Sequence, residues 1–209
     1  MDLIAPYCDR AEGLLRAAAG LDASVPVPLK RSRGALLCAL AHQCAPENRA
    51  AAAALAARWA AHIAPWAADW ADVSARDALV VFALNDGGWR TLRDALRGAP
   101  WAEGEEDLSA LWPALSPGAR ARRDRSNPAF VTSYVLRRCR ALAGQDGPAR
   151  QESLPPGLLW TLAQGPRGGG TARWAEEAAR RWLALPPAQR RDTALAEAVG
   201  KALEGAVLP

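Results

Sequence analysis

The chain has 209 residues, which is long enough to bury a core without a disulfide or metal staple. Half of the residues are hydrophobic and 23% are charged, a balance that excludes wholesale disorder. No apolar run reaches the roughly 20 residues of a membrane span, and the N-terminal sequence lacks the features of a signal peptide. We therefore expect a cytoplasmic protein that does not bind a membrane. Its formal net charge of +4 permits an acidic partner but does not require one.

The N-terminal half has the composition and periodicity of short helices. Alanine, leucine and arginine dominate it, and apolar residues recur at spacings of three and four. The pattern predicts helices over 10–19, 31–44, 47–63, 75–84 and 89–97. Pro26 and Pro28 end the first helix, and Pro65 is expected to stop or kink the third. Ser74 is expected to cap the fourth helix, and the glycines among residues 85–88 to close it.

The C-terminal half carries clearer helix starts. Ser116 and Asn127 each stand directly before a proline, a favoured arrangement for the first turn of a helix. The expected helices cover 128–143, 156–164, 172–184 and 188–204.

Together these patterns predict an all-α fold, a compact bundle of about eight to ten short helices with no sheet. We expect a single helical domain over residues 1–209. Within it, residues 1–28 supply an N-terminal helix and a proline-rich linker, and residues 185–209 supply an appended C-terminal helix.

Residues suited to catalysis or metal binding are few. His42 and His62 are the only histidines, and neither lies in a recognisable catalytic or zinc-binding motif. Cys38 and His42 share a face of the predicted helix, but Cys44 is rotated away, and a structural zinc site needs four ligands. The glycines at 168–170 favour a flexible connector over an anion site. We therefore expect no enzyme activity, no metal and no cofactor.

Charge is distributed unevenly along the chain. Residues 101–115 carry four acids and no base, whereas residues 116–150 carry eight arginines and two aspartates. Arginines at helical spacing can bind a phosphate backbone without sequence preference. The alternative is a solvated face paired with local acids such as Asp94 and Asp124. The candidate nucleic-acid contacts are Arg33, Arg90, Arg93, Arg97, Arg120, Arg122, Arg123, Arg125, Arg137 and Arg138.

A second candidate surface is a stripe of indoles. Trp59, Trp66 and Trp70 recur at spacings of seven and four, which places them on one helix face. Such a stripe is typical of a core or a helix–helix interface, and is less typical of a platform for base stacking. In an adaptor protein the same stripe would be the contact with a partner.

Six segments share their order with the helices of a known family. They are, in turn, an Arg-Gly-Ala segment, an apolar segment ending in a glycine turn, a Leu-Arg-x-Ala-Leu segment, a Leu-Arg-Arg register, a leucine-rich segment and an Arg-Trp-Ala segment. Their positions are 33–37, 78–88, 92–96, 135–142, 157–162 and 172–175. Over about residues 30–182 the chain therefore resembles the helical small subunit of the type I-E CRISPR surveillance complex, Cascade.

The resemblance implies a non-catalytic subunit of an RNA-guided antiviral complex. A basic face would hold the DNA backbone, while base pairing by the guide RNA supplies sequence specificity. The positions that match the family pattern, and so would contact phosphate, are Arg93, Arg137 and Arg173.

We therefore expect a non-catalytic subunit of a larger assembly that binds the backbone of DNA or RNA next to other protein subunits. Whether two copies of this chain form a homodimer within that assembly is not decided by the sequence. The alternative is a helical adaptor that docks through its tryptophans on other proteins of a bacterial machine, such as a secretion apparatus.

Overall fold

The computed structural model describes residues 2–32, 34–98, 108–143, 155–166 and 170–207. Contacts group the chain into two compact units. The N-terminal unit is Ile4–Thr91, and the C-terminal unit is Leu92–Pro209 together with Met1–Leu3. The prediction of a single domain over 1–209 stays a prediction.

The N-terminal unit combines helices with a sheet. Its elements are α1 (Ala5–Ala19), β1 (Leu29–Ser32), β2 (Ala35–Cys38), α2 (Leu40–Cys44), α3 (Arg49–Ala67), β3 (Ala71–Arg76) and β4 (Leu79–Leu84). A further helix, α4 (Asp86–Gly98), begins in this unit and ends in the next. The four strands form an antiparallel sheet in the order β1-β2-β4-β3. The fold is therefore mixed α and β, and the all-α prediction is wrong.

The first hairpin replaces most of the helix predicted over 31–44. The backbone of Gly34 has a φ of 76°, which L side chains rarely adopt and which turns the chain from β1 into β2. A Cβ atom at this position would lie 2.8 Å from the Cζ2 atom of Trp89. Glycine is therefore required at position 34 for two reasons: the backbone angle is unfavourable for other residues, and the Trp89 indole occupies the space of a side chain.

The second hairpin replaces the helix predicted over 75–84. Asp77, at its turn, has a φ of 53°, a conformation that aspartate tolerates better than most residues. Strand β4 is central in the sheet, and Val80, Val81 and Phe82 are all buried. A strand buried on both faces has a continuous apolar run, which periodicity cannot distinguish from a buried helix.

The turn after β4 starts a helix and does not close one. The Asn85 side chain caps α4, because its Oδ1 accepts a hydrogen bond from the Gly88 N–H at 3.1 Å. Its Nδ2 donates to the Ala68 carbonyl at 2.8 Å. A Cβ on Gly88 would collide with the Trp70 carbonyl oxygen. Gly88 therefore allows the start of α4 to approach the backbone of Trp70 closely. The prediction that the glycines close a helix is wrong, because they lie at the start of one.

The core of the N-terminal unit centres on Trp70. Its ring stacks on Phe82 with centroids 5.7 Å apart, and Tyr7 packs against it at 5.3 Å. The Arg10 guanidinium lies 5.3 Å from the Trp70 ring centroid, which is a cation–π distance. The sheet and α1 are thus joined through one buried indole.

The helices predicted over 10–19 and 47–63 exist but extend further. α1 begins earlier, at Ala5, and ends at Ala19, where Gly20 with a φ of 65° forms a left-handed cap. α3 begins after Asn48, whose side chain accepts from the Ala51 N–H at 2.9 Å. Pro65 lies in the last turn of α3, and the helix ends only two residues later, at Ala67.

The C-terminal unit is built from helices and two short 3₁₀ turns. Its elements are a 3₁₀ turn (Leu108–Leu111), α5 (Pro117–Ala121), α6 (Pro128–Ala143), α7 (Pro156–Gln164), α8 (Thr171–Leu183), a second 3₁₀ turn (Gln189–Arg191) and α9 (Thr193–Val207). The boundaries predicted at 128–143 and 156–164 are confirmed. The region predicted as one helix over 188–204 is a 3₁₀ turn followed by α9, because the Asp192 side chain caps a new helix at the Leu195 N–H.

α6 is the central helix of this unit and packs against α8 and α9. Its buried side includes Val131, Val135 and Leu136. From α9, the fully buried carboxylate of Glu204 pairs with the guanidinium of Arg140. α6 is therefore held by apolar packing and by a buried ion pair.

None of the helices in the described ranges is both long and apolar enough to cross a membrane.

Candidate nucleic-acid interface

A groove of about 580 Å³ lies in the C-terminal unit, between α5, the loop after it and α6. Four of its lining residues are arginines, and within the described ranges no aspartate or glutamate lines it. The lining residues are Arg120, Ala121, Arg122, Arg123, Asn127, Ala129, Phe130, Ser133, Tyr134 and Arg137. We call this the arginine groove.

Asn127 fixes the shape of the arginine groove. This side chain is only 3% exposed, and its Nδ2 donates to the carbonyls of Arg120 at 3.0 Å and Arg122 at 2.8 Å. Its Oδ1 accepts from the Phe130 N–H at 3.2 Å, which caps α6. Three of the groove arginines lie on α5 and the loop after it, and one buried amide therefore ties this segment to α6, which carries the fourth. The sequence predicted the cap, but not the two bonds to the loop.

The arginines of the loop keep most of their charge available. Arg122 and Arg123 are exposed and form no ion pair with any described residue. Arg120 donates from Nη2 to the Pro113 carbonyl at 3.0 Å, which fixes its position without neutralising it. The groove is therefore a positive surface with fixed geometry.

Asp124 is the acid nearest to these arginines in sequence, and it has a structural role. Its Oδ1 accepts from the Ser126 hydroxyl at 2.6 Å and from the Ser126 N–H at 2.7 Å. These two hydrogen bonds lower the pKa of the Asp124 carboxyl, since they favour its charged form. The carboxylate closes a turn and does not line the groove.

Two aromatic side chains stand beside the arginines on α6. Phe130 and Tyr134 are one helical turn apart, with ring centroids 6.3 Å apart and planes inclined by 27°. Tyr134 is 48% exposed, although large apolar residues are usually buried. Both side chains line the arginine groove.

The remaining predicted arginine contacts that the structure describes do not line the groove. Arg125 and Arg138 are exposed on the loop and on α6. Arg90, Arg93 and Arg97 lie on α4, where Arg93 pairs with Asp94 at 3.3 Å. Arg33 lies outside the described residues.

Arg173 lines a different cavity, on α8, that has a mixed charge. Arg180 pairs with Glu176 and Arg181 with Glu177, each at 2.8 Å. Four of the five charged residues there are therefore paired with each other, and the cavity lacks the positive excess that a polyanion requires.

The tryptophan stripe is not a continuous surface. Trp59 and Trp70 are 3% and 2% exposed and belong to the core, whereas Trp66 is 67% exposed. Trp70 lies beyond the end of α3, at the start of the chain segment that leads into β3. The sequence predicted that the three indoles form one partner-binding face, but two of them are buried and only Trp66 is exposed.

The polar residues considered for catalysis or metal binding differ in their exposure. His42 and His62 are exposed, and Cys38 is buried. Within the described ranges, no group of three or more histidine, cysteine, aspartate or glutamate residues could hold a metal ion.

Comparison with protein-family models, with curated proteins and with solved structures gives no match for this chain.

Proposed function

We propose that this protein is a non-catalytic subunit of a larger cytoplasmic assembly, and that it binds the phosphate backbone of a nucleic acid in the arginine groove. The observation that carries the proposal is the convergence of Arg120, Arg122, Arg123 and Arg137 in one groove, where none of the other described lining residues is an acid. Each guanidinium presents a planar fork that fits a phosphate. Four such groups in one groove match a chain of phosphates better than a single anion.

The proposal predicts a specific dependence on salt. Each phosphate contact releases condensed counterions, so affinity falls as salt rises. Four contacts give a slope of log K against log salt of roughly −3. A protein that bound through apolar contacts alone would show a slope near zero.

The test measures binding of labelled DNA and RNA of unrelated sequence by fluorescence anisotropy, between about 50 and 200 mM salt. The variant R122E/R123E reverses two groove charges. Its matched control is R58E/R76E, which reverses two exposed arginines of the N-terminal unit that form no ion pair with a described residue. Each reversal subtracts two charges, so both variants change the formal net charge from +4 to 0.

We expect wild type and the control to bind with a steep salt slope, and R122E/R123E to lose at least tenfold in affinity. Equal loss in both variants would mean that net charge, and not the groove, drives binding. Absence of binding by the wild-type protein would overturn the proposal.

Membership of a Cascade complex stays a prediction. Two segments that the resemblance treats as helices, 33–37 and 78–88, contain strands β2 and β4 in the structure. Four arginines in one groove support backbone binding independently of that family.

The adaptor alternative has one observation in its favour, the exposure of Trp66. It predicts a protein partner whose binding is lost in W66A and is unaffected in R122E/R123E. The two variants therefore distinguish the two functions.

A further inference from the structure

We propose that the arginine groove takes a single strand, and that one unpaired base stacks on the Tyr134 ring while the arginines hold the neighbouring phosphates. This inference rests on the proposed function and specifies its ligand. It comes from the aromatic pair, which backbone binding alone does not need.

The position of Tyr134 fits a stacking surface. The opposite side of α6 carries Val131, Val135 and Cys139 into the core, so Tyr134 points away from the core. Apart from its contact with Phe130, its side chain makes no ring contact or hydrogen bond with the described part of the chain. Within the described part of the chain, Phe130 is therefore the only aromatic partner of this exposed ring.

Phe130 supports the ring from one side. It is half-buried, lies one helical turn before Tyr134, and stacks against it at a small angle. A ring held in this way loses little conformational freedom when a base binds to it. Tyr134 thus offers one supported aromatic surface within the groove.

The arginines that line the groove with this ring come from α5, from the loop after it and from α6. Arg137 follows Tyr134 by three residues on the same face of α6, and Arg122 and Arg123 come from the loop. A base in contact with the ring would therefore lie in the same groove as the exposed guanidinium groups of Arg122 and Arg123, which can hold its neighbouring phosphates. The groove volume of about 580 Å³ lies within the range of roughly 300–1,000 Å³ that is usual for ligand sites.

This arrangement discriminates between single and double strands. In a duplex the faces of the bases are stacked on each other and cannot reach a protein ring without unstacking. Single-strand binders combine a positive groove with aromatic side chains, and stacking is tolerant of sequence because every base has a π face. The aromatic pair therefore predicts a preference for unpaired strands.

The experiment uses the full chain and compares three ligands of equal length, about 20 nucleotides: a thymidine strand, the same strand with abasic sites, and a duplex. A uridine strand identifies the preferred sugar. The variants are Tyr134→Ala and Tyr134→Phe, with R122E/R123E as the charge variant. Circular dichroism and thermal unfolding verify that each variant is folded.

We expect wild type to bind a thymidine or uridine strand at least tenfold more tightly than the duplex and the abasic strand. Tyr134→Ala should lose about tenfold on the single strand, since stacking on one ring contributes roughly that factor, and should bind the duplex as wild type does. Tyr134→Phe should keep wild-type affinity, because it keeps the ring. The salt slope should not change in either variant, because no charge is removed.

Equal binding of single strand, abasic strand and duplex, with no effect of Tyr134→Ala, would overturn this inference and leave the proposed function intact. If R122E/R123E also lost all binding in that case, the groove would bind the phosphates and would make no contact with the bases. Failure of wild type to bind any of the ligands would overturn both.

Discussion

Asn127 has the largest structural role of any single residue around the arginine groove. Each of its polar groups has a partner, two loop carbonyls and the first turn of α6. Because the side chain is buried, water cannot replace these partners when the amide is lost. The order of the loop therefore depends on one side chain.

We predict that Asn127→Ala lowers the free energy of unfolding by about 2–4 kcal/mol, the sum of a lost cap and of unpaired buried carbonyls. Urea unfolding measures this loss. Ser116→Ala is the matched control, since it removes an exposed cap from α5 and should cost about 0.5–1 kcal/mol. Equal stability losses in the two variants would show that the bonds to the loop contribute nothing.

The buried ion pair of Arg140 and Glu204 gives a second prediction. Glu204 is fully buried, so Arg140→Ala removes a guanidinium that pairs with a buried carboxylate, at a cost of about 3–5 kcal/mol. The control is Arg181→Ala, which breaks an exposed pair and should cost about 0.5 kcal/mol or less. Thermal or urea unfolding of both variants makes the comparison. A small loss in Arg140→Ala would mean that the Glu204 carboxylate does not depend on Arg140 for its stabilisation.

The cysteines should differ in reactivity. Burial raises the pKa of the Cys38 and Cys139 thiols, so the reactive thiolate is scarce there, whereas Cys44 is exposed. We expect a maleimide at neutral pH to label Cys44 first, and Cys139 only when the protein unfolds. Mass spectrometry of the labelled peptides gives the order. Early labelling of Cys139 would contradict the packing of α6.

At the scale of elements, the junction between β4 and α4 makes the strictest demand on sequence. The start of α4 approaches the backbone of residues 69 and 70 so closely that a side chain on Gly87 or Gly88 meets a carbonyl oxygen. Asn85 joins the same segments by donating to the Ala68 carbonyl. Sheet, turn and helix thus form one tightly packed corner.

We predict that Gly88→Ala destabilises the protein by at least about 2 kcal/mol, because strand and helix must move apart. Gly13→Ala, inside α1 where a Cβ meets nothing within 4 Å, should instead stabilise it by about 0.5–1 kcal/mol. Chemical denaturation of both variants tests the contrast. A stable Gly88→Ala variant would mean that the corner is looser than the structure shows.

The helices of the C-terminal unit could be predicted from sequence because their starts are local. Asn127 and the proline after it specify the first turn of α6 by side-chain capping, and that information lies within four residues. The strands could not be predicted in the same way. The Val80–Phe82 run is compatible with a buried helix or a buried strand, and only its pairing with β2 and β3 decides between them.

The groove was predictable only in part, for the same reason. Arg120–Arg123 are close in sequence, so their clustering was visible, whereas the juxtaposition of Arg137 depends on the bonds of Asn127. A further signal was present in α6. Phe130, Tyr134 and Arg137 follow a helical spacing on the side opposite Val131 and Val135, which marks them as a separate, exposed face.

At the scale of the whole molecule, the positive net charge and the arginine groove should affect different rate constants. Long-range attraction between a cationic protein and a polyanion raises the association rate, and close contacts set the dissociation rate. Both charge variants, R122E/R123E and R58E/R76E, have the same formal net charge of 0.

We therefore expect stopped-flow measurements at low salt to show a similar reduction of the association rate in both variants. The dissociation rate should increase only in R122E/R123E, by roughly tenfold or more. An increase of the same size in R58E/R76E would assign close phosphate contacts to the N-terminal unit.

The hydrogen bonds from Asn127 to main-chain carbonyls have a consequence for protein engineering. The Asn127 amide bonds to the backbone carbonyls of residues 120 and 122 and not to their side chains. Substitutions of these two side chains should therefore leave both hydrogen bonds in place. A library randomised at 120, 122, 123 and 137 would sample many ligand chemistries on one scaffold. Acidic or neutral grooves selected from it should fold as the parent does, with new recognition properties.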